Sequence, residues 1–553
     1  MKMFQPKLFS VLKNYKIKQL PKDIIAGVIV AIIAFPLSIA LAIASGMTPE
    51  RGLYSAIIGG FLVSFFGGSR VNIGGATAAT VMTVFTIINK YGLTGLAVTS
   101  IMAGIILIIM GFLRLGVLLK YIPRTITLGF TAAIGMGIFS GQLKGFFGFD
   151  MGEIPVKTID KFIAYAKVIT TVDFTTLMVG IVAIVIIIVL QKKAPKVPNS
   201  LVAIIVTTLL VRLCNLNVAT IKSVYGELPS HFPEFVVPKF SYDLIADLIP
   251  DAFTLAILIA IVTLLACVVT DSLTGHRHNS NQELIAQGIA NIFCGFFGAV
   301  PVAGAVARAS SNVKAGGKTP IAGIVHSIVV LFILLFMMPL AGYIPIPSLS
   351  AILIVVSCNM CNLKEIIYTA KKAPTSDFIV LISTFTAGVV VNLLFAVETG
   401  FVIAAILFLK NMANVTNVSE WEYLGNDASA DKDATTLKQV PLRTFVFEIS
   451  GPMFFAAREK FSSIPTNDSI DCIILRMRSV PSMDSTALYF MDELYAKCRK
   501  YNITLIISHI QEQPLSVMKK AGFDEKIGAE NFCEHIDTAL ERAAHIVNAK
   551  LTA

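Results

Sequence analysis

The sequence predicts a polytopic α-helical membrane protein of about 14 spans in a 7+7 inverted repeat with two half-helices, followed by a C-terminal α/β domain. Three observations carry this. Of 553 residues, 55% are hydrophobic and 14% charged, with a mean hydropathy of +0.76, where a soluble protein carries about a quarter charged residues. Two of the apolar segments are short, and they occupy corresponding places, third of seven and tenth of fourteen. Past residue 412 the apolar segments stop and alternating strand-like and helix-like stretches begin.

In chain order, residues 1–21 are lysine-rich and have no short apolar core followed by a small-residue cleavage site, so a cytoplasmic N-terminal segment is expected rather than a removed signal peptide. Residues 22–412 form the transmembrane transport domain, with repeats at about 22–214 and 250–412. Its apolar segments begin near Ile24, Gly52, Gly75, Leu93, Thr125, Leu177, Ser200, Ala252, Leu284, Gly304, Ile321, Ser348, Phe378 and Phe395. A helix needs roughly 20 residues to cross the hydrocarbon core. With the N-terminus inside, the even-numbered connections carry Arg70, then Arg114, Lys120 and Arg124, then Lys192, Lys193 and Lys196, and later Arg277, Lys314, Lys318, Lys364, Lys371 and Lys372. The net charge of +10 is therefore explained by the positive-inside bias, and no nucleic-acid partner is expected.

The first short segment follows Gly67–Val81, where an extended Arg70–Ile73 leads through Gly74-Gly75 into a helix expected to start at Ala76-Thr77. The second follows Gly298–Pro320, where an extended Ala299–Val302 leads into Ala303-Gly304-Ala305 and a short helix carrying Arg308 and ending near Gly316-Gly317. A helix start has unpaired N–H groups and the positive end of the dipole, so two starts converging at membrane depth make an anion pocket. Arginine at the bilayer centre costs roughly 2.5–3.5 kcal/mol on insertion scales, which marks Arg308 as functional rather than incidental. Pro36 interrupts the first span and leaves Phe35, Ser38 and Leu41 at the same depth. The predicted anion-binding set is thus Phe35, Ser38, Leu41, Ala76, Thr77, Ala303, Gly304, Ala305 and Arg308. The plainer alternatives are glycines that only permit close helix packing and an arginine that snorkels.

Past the spans, residues 413–440 are polar and acidic and read as a linker, and 441–553 alternate strand and helix as a compact cytoplasmic domain. Strands are expected at Arg443–Ile449, Asp471–Met477 and Ile503–Ser508, with helices from Phe454, Ser485, Pro514 and Asn531. Asp484 is placed to cap the helix that Ser485 and Thr486 begin. The eight cysteines are scattered, Cys358 and Cys361 lack a second pair, and His276 and His278 look solvated. There is no Walker A pattern, so neither ATP hydrolysis nor any other enzyme activity is expected, and no metal or cofactor is implied.

Four blocks, Phe35–Gly60, GGSRVNIGG at Gly67–Gly75, DSLTGHRHNSNQELIAQGIAN at Asp271–Asn291 and GAVARASSNVKAGGKTPIAG at Gly304–Gly323, make nearly the whole chain resemble the sulfate permease (SulP) or solute carrier 26 anion transporters. The resemblance implies a mobile core against a gate scaffold and an anion held between the first, third and tenth spans. It also implies a homodimer in a bacterial inner membrane with both termini cytoplasmic. The substrate expected is a small inorganic anion, sulfate first, with bicarbonate or a C4-dicarboxylate as alternatives. Gln282 and Glu283 match signature residues, expected to fix the eighth-to-ninth connection. The C-terminal domain resembles STAS domains, whose loop phosphorylation site corresponds to Thr486, although Ala487 replaces the usual glycine. A cytosolic protein partner of that domain is implied. The eighth span departs from the cation-coupled pattern, since Val262 and Ala266 stand where a carboxylate and a hydroxyl are usual and only Thr263 is polar. A membrane-tethered signalling scaffold has no need of charge at mid-membrane, and a nucleobase permease calls for carboxylates at the half-helix starts, which are missing here.

Overall fold

The computed structural model describes residues 5–13, 15–117, 122–152, 154–194, 197–420, 440–457, 460–461 and 464–552. The chain forms two compact units, Met1–Val402 and Ile403–Ala553.

In the first unit, helix coincides with each predicted apolar segment. Among the described residues eight helices are long and apolar enough to cross a bilayer, from Ile17–Ala44 to Leu393–Val415, and Asn199–Leu213 and Thr375–Val390 are shorter apolar helices. Pro36 does not interrupt its helix, which runs unbroken over Leu20–Ala44. A proline removes one N–H, and the surrounding helical bonds carry the turn across it. The third and fourth segments are two helical stretches within Ala78–Phe112 that meet without an intervening loop at Gly92, whose φ of 68° and ψ of −169° break the helix and are open to glycine at no steric cost.

Small residues set how closely these helices approach. The Ser280–Phe296 and Ala78–Phe112 helices cross with Gly104 and Gly288 face to face, and a Cβ on either would lie 2.6 or 2.5 Å from the carbonyl oxygen of the other. Close packing by small residues therefore occurs here, and it occurs at the half-helix starts as well, where a Cβ on Gly74 would lie 2.8 Å from Val63 Cγ2 and one on Gly304 2.6 Å from Asn72 Nδ2.

Two short strands lie inside this helical unit. β1 (Gly74–Ala76) and β2 (Val302–Gly304) pair antiparallel in the register Gly74↔Gly304, Gly75↔Ala303, Ala76↔Val302. Each is followed by one N-cap residue and then a helix: Thr77 before Ala78, and Ala305 before Val306–Lys314. Both helices begin two to three residues later than the sequence suggests, because the glycines and small residues there are extended into the strand pair. Backbone at this depth is tolerated only where it is satisfied inside the protein, which the pairing achieves.

The second unit holds a five-stranded sheet in the order β3 (Asn417–Glu420), β4 (Thr444–Ser450), β5 (Cys472–Ser479), β6 (Thr504–Ser508) and β7 (Phe532–Cys533). β3 is antiparallel to β4 and the other pairs are parallel. β3 lies within the stretch that reads as linker. Its polar NVSE is an exposed edge strand with little apolar alternation to announce it, and 421–439 lie outside the described residues. The expected helix at Phe454 opens as a 3₁₀ turn, Phe455–Ala457, and Lys460 and Phe461 are helical, with 458–459 and 462–463 outside the described residues. The one expected near Asn531 begins at Ile536 after β7. Asp484 caps Ser485–Lys500 by accepting from Ala487 N–H at 2.8 Å, and its other oxygen accepts from Phe455 N–H at 3.1 Å. Ser485 is exposed and Thr486 half-buried in the first turn.

Candidate anion site

The paired strands put two helix starts side by side, and neither start is capped by a side chain. Arg308, third residue of its helix, is 1% exposed and reaches across the strand pair. Its Nη1 donates to Gly74 O at 3.2 Å, and its Nη2 donates to Ala76 O and Ser38 Oγ, both at 3.1 Å. Gly75 leaves room for this: a Cβ there would lie 1.6 Å from Arg308 Nη1. The guanidinium is therefore not a bare charge in a pocket. It is held between the β1 carbonyls of Gly74 and Ala76 and the hydroxyl of the Leu20–Ala44 helix, with its Nε unpaired.

Of the predicted set, Ser38, Ala76 and Arg308 are thus in direct contact. Gly304 N–H donates to Thr263 Oγ1 at 2.9 Å, so the eighth-segment hydroxyl holds the second strand in place. Thr77 and Ala305 are the two N-caps, and Ala303 is the middle residue of β2. Phe35 and Leu41 are buried in the apolar cluster that also holds Ala76 and Val302. Val262 is half-buried and Ala266 fully buried.

Each strand is clasped by a polar side chain of the Ser280–Phe296 helix. Glu283, fully buried, accepts from Gly68 N–H at 2.8 Å, Ser69 N–H at 3.0 Å and Asn72 Nδ2 at 2.7 Å. Gln282 donates to Phe66 O at 2.7 Å. The two signature residues thus secure the approach to β1, some 210 residues earlier in the chain, while at their own connection Asn279 caps the helix by accepting from Gln282 N–H. Two helical turns on, Asn291 accepts from Val302 N–H and donates to Val302 O, both at 2.9 Å. Asn291 was not legible as a site residue, nor was Asn312, whose Nδ2 donates to Val71 O at 3.0 Å. His326, fully buried with both ring nitrogens unpaired, lies against Gly60. Asp23 anchors the far end of the second half-helix, accepting from Lys318 N–H at 2.9 Å and Thr319 Oγ1 at 2.7 Å. His278 is not solvated, since its Nδ1 is 2.6 Å from Asp271 Oδ2 and its Nε2 is 2.9 Å from Ser280 Oγ.

Comparison with known proteins agrees with this architecture. The pattern of the Sulfate permease family matches residues 20–384, and that of the STAS domain residues 435–539. YvdB of Bacillus subtilis (strain 168), whose name carries the words sulfate transporter, is 34% identical over 95% of this chain and 98% of its own. The bicarbonate transporter BicA of Picosynechococcus sp. is 31% identical over 84% of each chain. The solved structure of SLC26A9 superposes with a TM-score of 0.85 at 21% identity, covering 99% of this chain and 93% of the other, which concerns the fold alone.

Proposed function

Because the chain belongs to the sulfate permease family, we propose that it is a secondary transporter of small inorganic anions, sulfate first, which binds its substrate between the starts of the two half-helices. The observation that carries this reading is the register Gly74↔Gly304, which sets two uncapped helix starts beside a fully buried arginine. Two dipole ends and one guanidinium favour an anion there, and among the described residues no carboxylate is in direct contact with Arg308 to favour a cation. The Arg308 donors spent on Gly74, Ala76 and Ser38 fix the guanidinium, so an incoming oxyanion meets a charge already held in position.

Bicarbonate is the second reading, supported by the likeness to BicA. The protein functions in a bacterial inner membrane as a homodimer with both termini cytoplasmic, and its STAS domain, with Asp484, Ser485 and Thr486 at an exposed helix start, regulates it. Uptake of labelled sulfate, bicarbonate and succinate into proteoliposomes under imposed sodium or proton gradients tests the substrate. Sulfate uptake that saturates and depends on Arg308 is the expected result, and transport of succinate alone overturns it.

A further inference from the structure

A second cationic place lies apart from Arg308, in a cavity of about 540 Å³ on the face where the Arg124–Phe147 helix ends. The sequence assigns that face to the exterior. Its walls include Ile43 and Ala44, Val81 and Met82, Gln142 and Lys144, and Lys161 of the short Thr158–Lys167 helix. Lys161 is 2% exposed, a degree of burial that lysine almost never shows unless it is paired. No carboxylate pairs with it among the described residues. Its Nζ has Met82 Sδ at 3.7 Å, the Phe85 ring centroid at 5.7 Å and the backbone of Gly141 beside it, all of them in the cavity wall.

Among the described residues the one carboxylate lining the cavity is already engaged. Asp173 accepts from Thr175 N–H at 3.0 Å, Thr176 N–H at 3.3 Å and Thr176 Oγ1 at 2.5 Å as the N-cap of Phe174–Lys193. Lys144, also in the wall, donates to Gly152 O at 2.8 Å and keeps its charge unpaired by any acid among the described residues. Among the described residues, two lysines against one committed carboxylate leave the cavity with surplus positive charge. An ammonium stripped of water and facing a thioether is unfavourable unless something anionic visits it.

We propose that Lys161, supported by Lys144, forms an outer anion-binding site in which a small inorganic anion rests on its way to the half-helix starts. The position suits the task, because Val81 and Met82 sit one turn past Ala78, so the cavity wall includes the first half-helix itself. The ligand class is the transported one, a sulfate-sized oxyanion or halide, and to that extent the proposal rests on the reading of the protein as an anion transporter. It does not rest on the role given to Arg308.

The test is initial-rate uptake of labelled sulfate into proteoliposomes holding the full chain, resolved into KM and kcat. Lys161→Met should raise KM by about 10-fold or more, the scale of one charge-assisted contact, with kcat within about twofold. Lys161→Arg, which keeps the charge, should hold KM within about threefold. An unchanged KM in well-folded Lys161→Met protein overturns the proposal, as does a Lys161→Arg protein as impaired as Lys161→Met, which makes the residue a packing element. If the wild-type protein carries neither sulfate nor bicarbonate nor chloride, the transport reading itself fails. The outer site is then judged by the thermal unfolding midpoint of purified protein against sulfate concentration. A rise seen in wild type and Arg308→Ala but absent in Lys161→Met upholds the site, and an equal rise in all three overturns it.

Discussion

The two strand–helix units that meet at mid-unit share a backbone and differ in everything attached to it. Each has three extended residues, one N-cap and a helix, paired in mirror order. The first carries no charge from Gly74 to Asn89, runs on as helix to the break at Gly92, and offers its carbonyls Gly74 O and Ala76 O. The second has a helix of only nine residues, Val306–Lys314, which carries Arg308, and Arg308 takes those carbonyls. Symmetry thus supplies the geometry twice, whereas the charge is supplied once. One strand–helix unit holds acceptors, the other a cation, and the arginine of one depends on a glycine of the other.

The clasps on the two units offer the sharpest way to break this comparison. Glu283→Ala orphans two backbone N–H groups and an amide at the first unit, at about 1–3 kcal/mol for each group. Asn291→Ala removes two bonds to a single residue of the second unit and should cost about 2 kcal/mol. Thermal unfolding of the purified variants should place Glu283→Ala well below Asn291→Ala, and the reverse order would mean that the second unit needs more support than the first.

Next in size is the arginine itself. Arg308→Ala should weaken sulfate transport about 10- to 150-fold, the range for a charge-assisted contact. Gly75→Ala should do nearly the same with the arginine present, because its Cβ displaces Nη1. The double variant should be no worse than either alone, measured as kcat/KM in a double-mutant cycle. Additive losses would separate the glycine from the guanidinium.

A smaller effect is expected at Thr263, whose hydroxyl is occupied by Gly304 N–H. With Val262 and Ala266 beside it there is no oxygen cage for sodium, a hard cation that wants several oxygens. Sulfate uptake at fixed pH and membrane potential should be independent of a sodium gradient, and Thr263→Val should lower the rate about fivefold, matching the loss of roughly 1 kcal/mol in strand support. A steep sodium dependence abolished by Thr263→Val would identify a cation site here after all.

The smallest effect is a pH dependence at the outer cavity. Burial pulls the Lys161 ammonium from its ordinary value near 10.5 down to about 8, so the site holds its charge below that pH and loses it above. The KM for sulfate, whose charge is constant over this range, should rise as pH passes from about 7 to 9. Lys161→Arg should remove that rise. Among the described residues the other ionisable groups lining the cavity are Lys144, Asp173 and Tyr225; the helix of Lys161 also carries Asp160, Lys167 and Tyr165, which donates to Ser140 O, with Lys157 at its N-cap, and the Thr375–Val390 helix carries Asp377 in its first turn. The same depression makes the folded state release this proton before the unfolded chain does. Unfolding free energy therefore gains between pH 8 and 10.5.

The half-helix starts were legible within a few residues because glycine and small residues cluster there in an otherwise apolar chain, and Arg308 is conspicuous for its charge. The register that joins them was not, since nothing local in GGA or VAG says which distant backbone completes it. Glu283 stood out as an acid in an apolar helix, yet its partners are backbone amides of the opposite repeat, which carry no side-chain signature. Lys161 sits in TIDKFIAYAK, an amphipathic stretch that reads as a solvated face until the Arg124–Phe147 helix packs on it. Asn291 and His326 look like polar interruptions of helices whose purpose only tertiary packing reveals.

β3 has a practical meaning for anyone cutting this chain. Starting a soluble fragment at Pro441 discards Asn417–Glu420 and strips β4 of its antiparallel neighbour, leaving a row of unpaired backbone groups along TFVFEIS. An apolar strand bared in this way is a template for adding further copies of itself, and such a fragment should form oligomers or precipitate. Beginning the fragment ahead of Thr416 keeps the edge covered by the polar strand that nature put there.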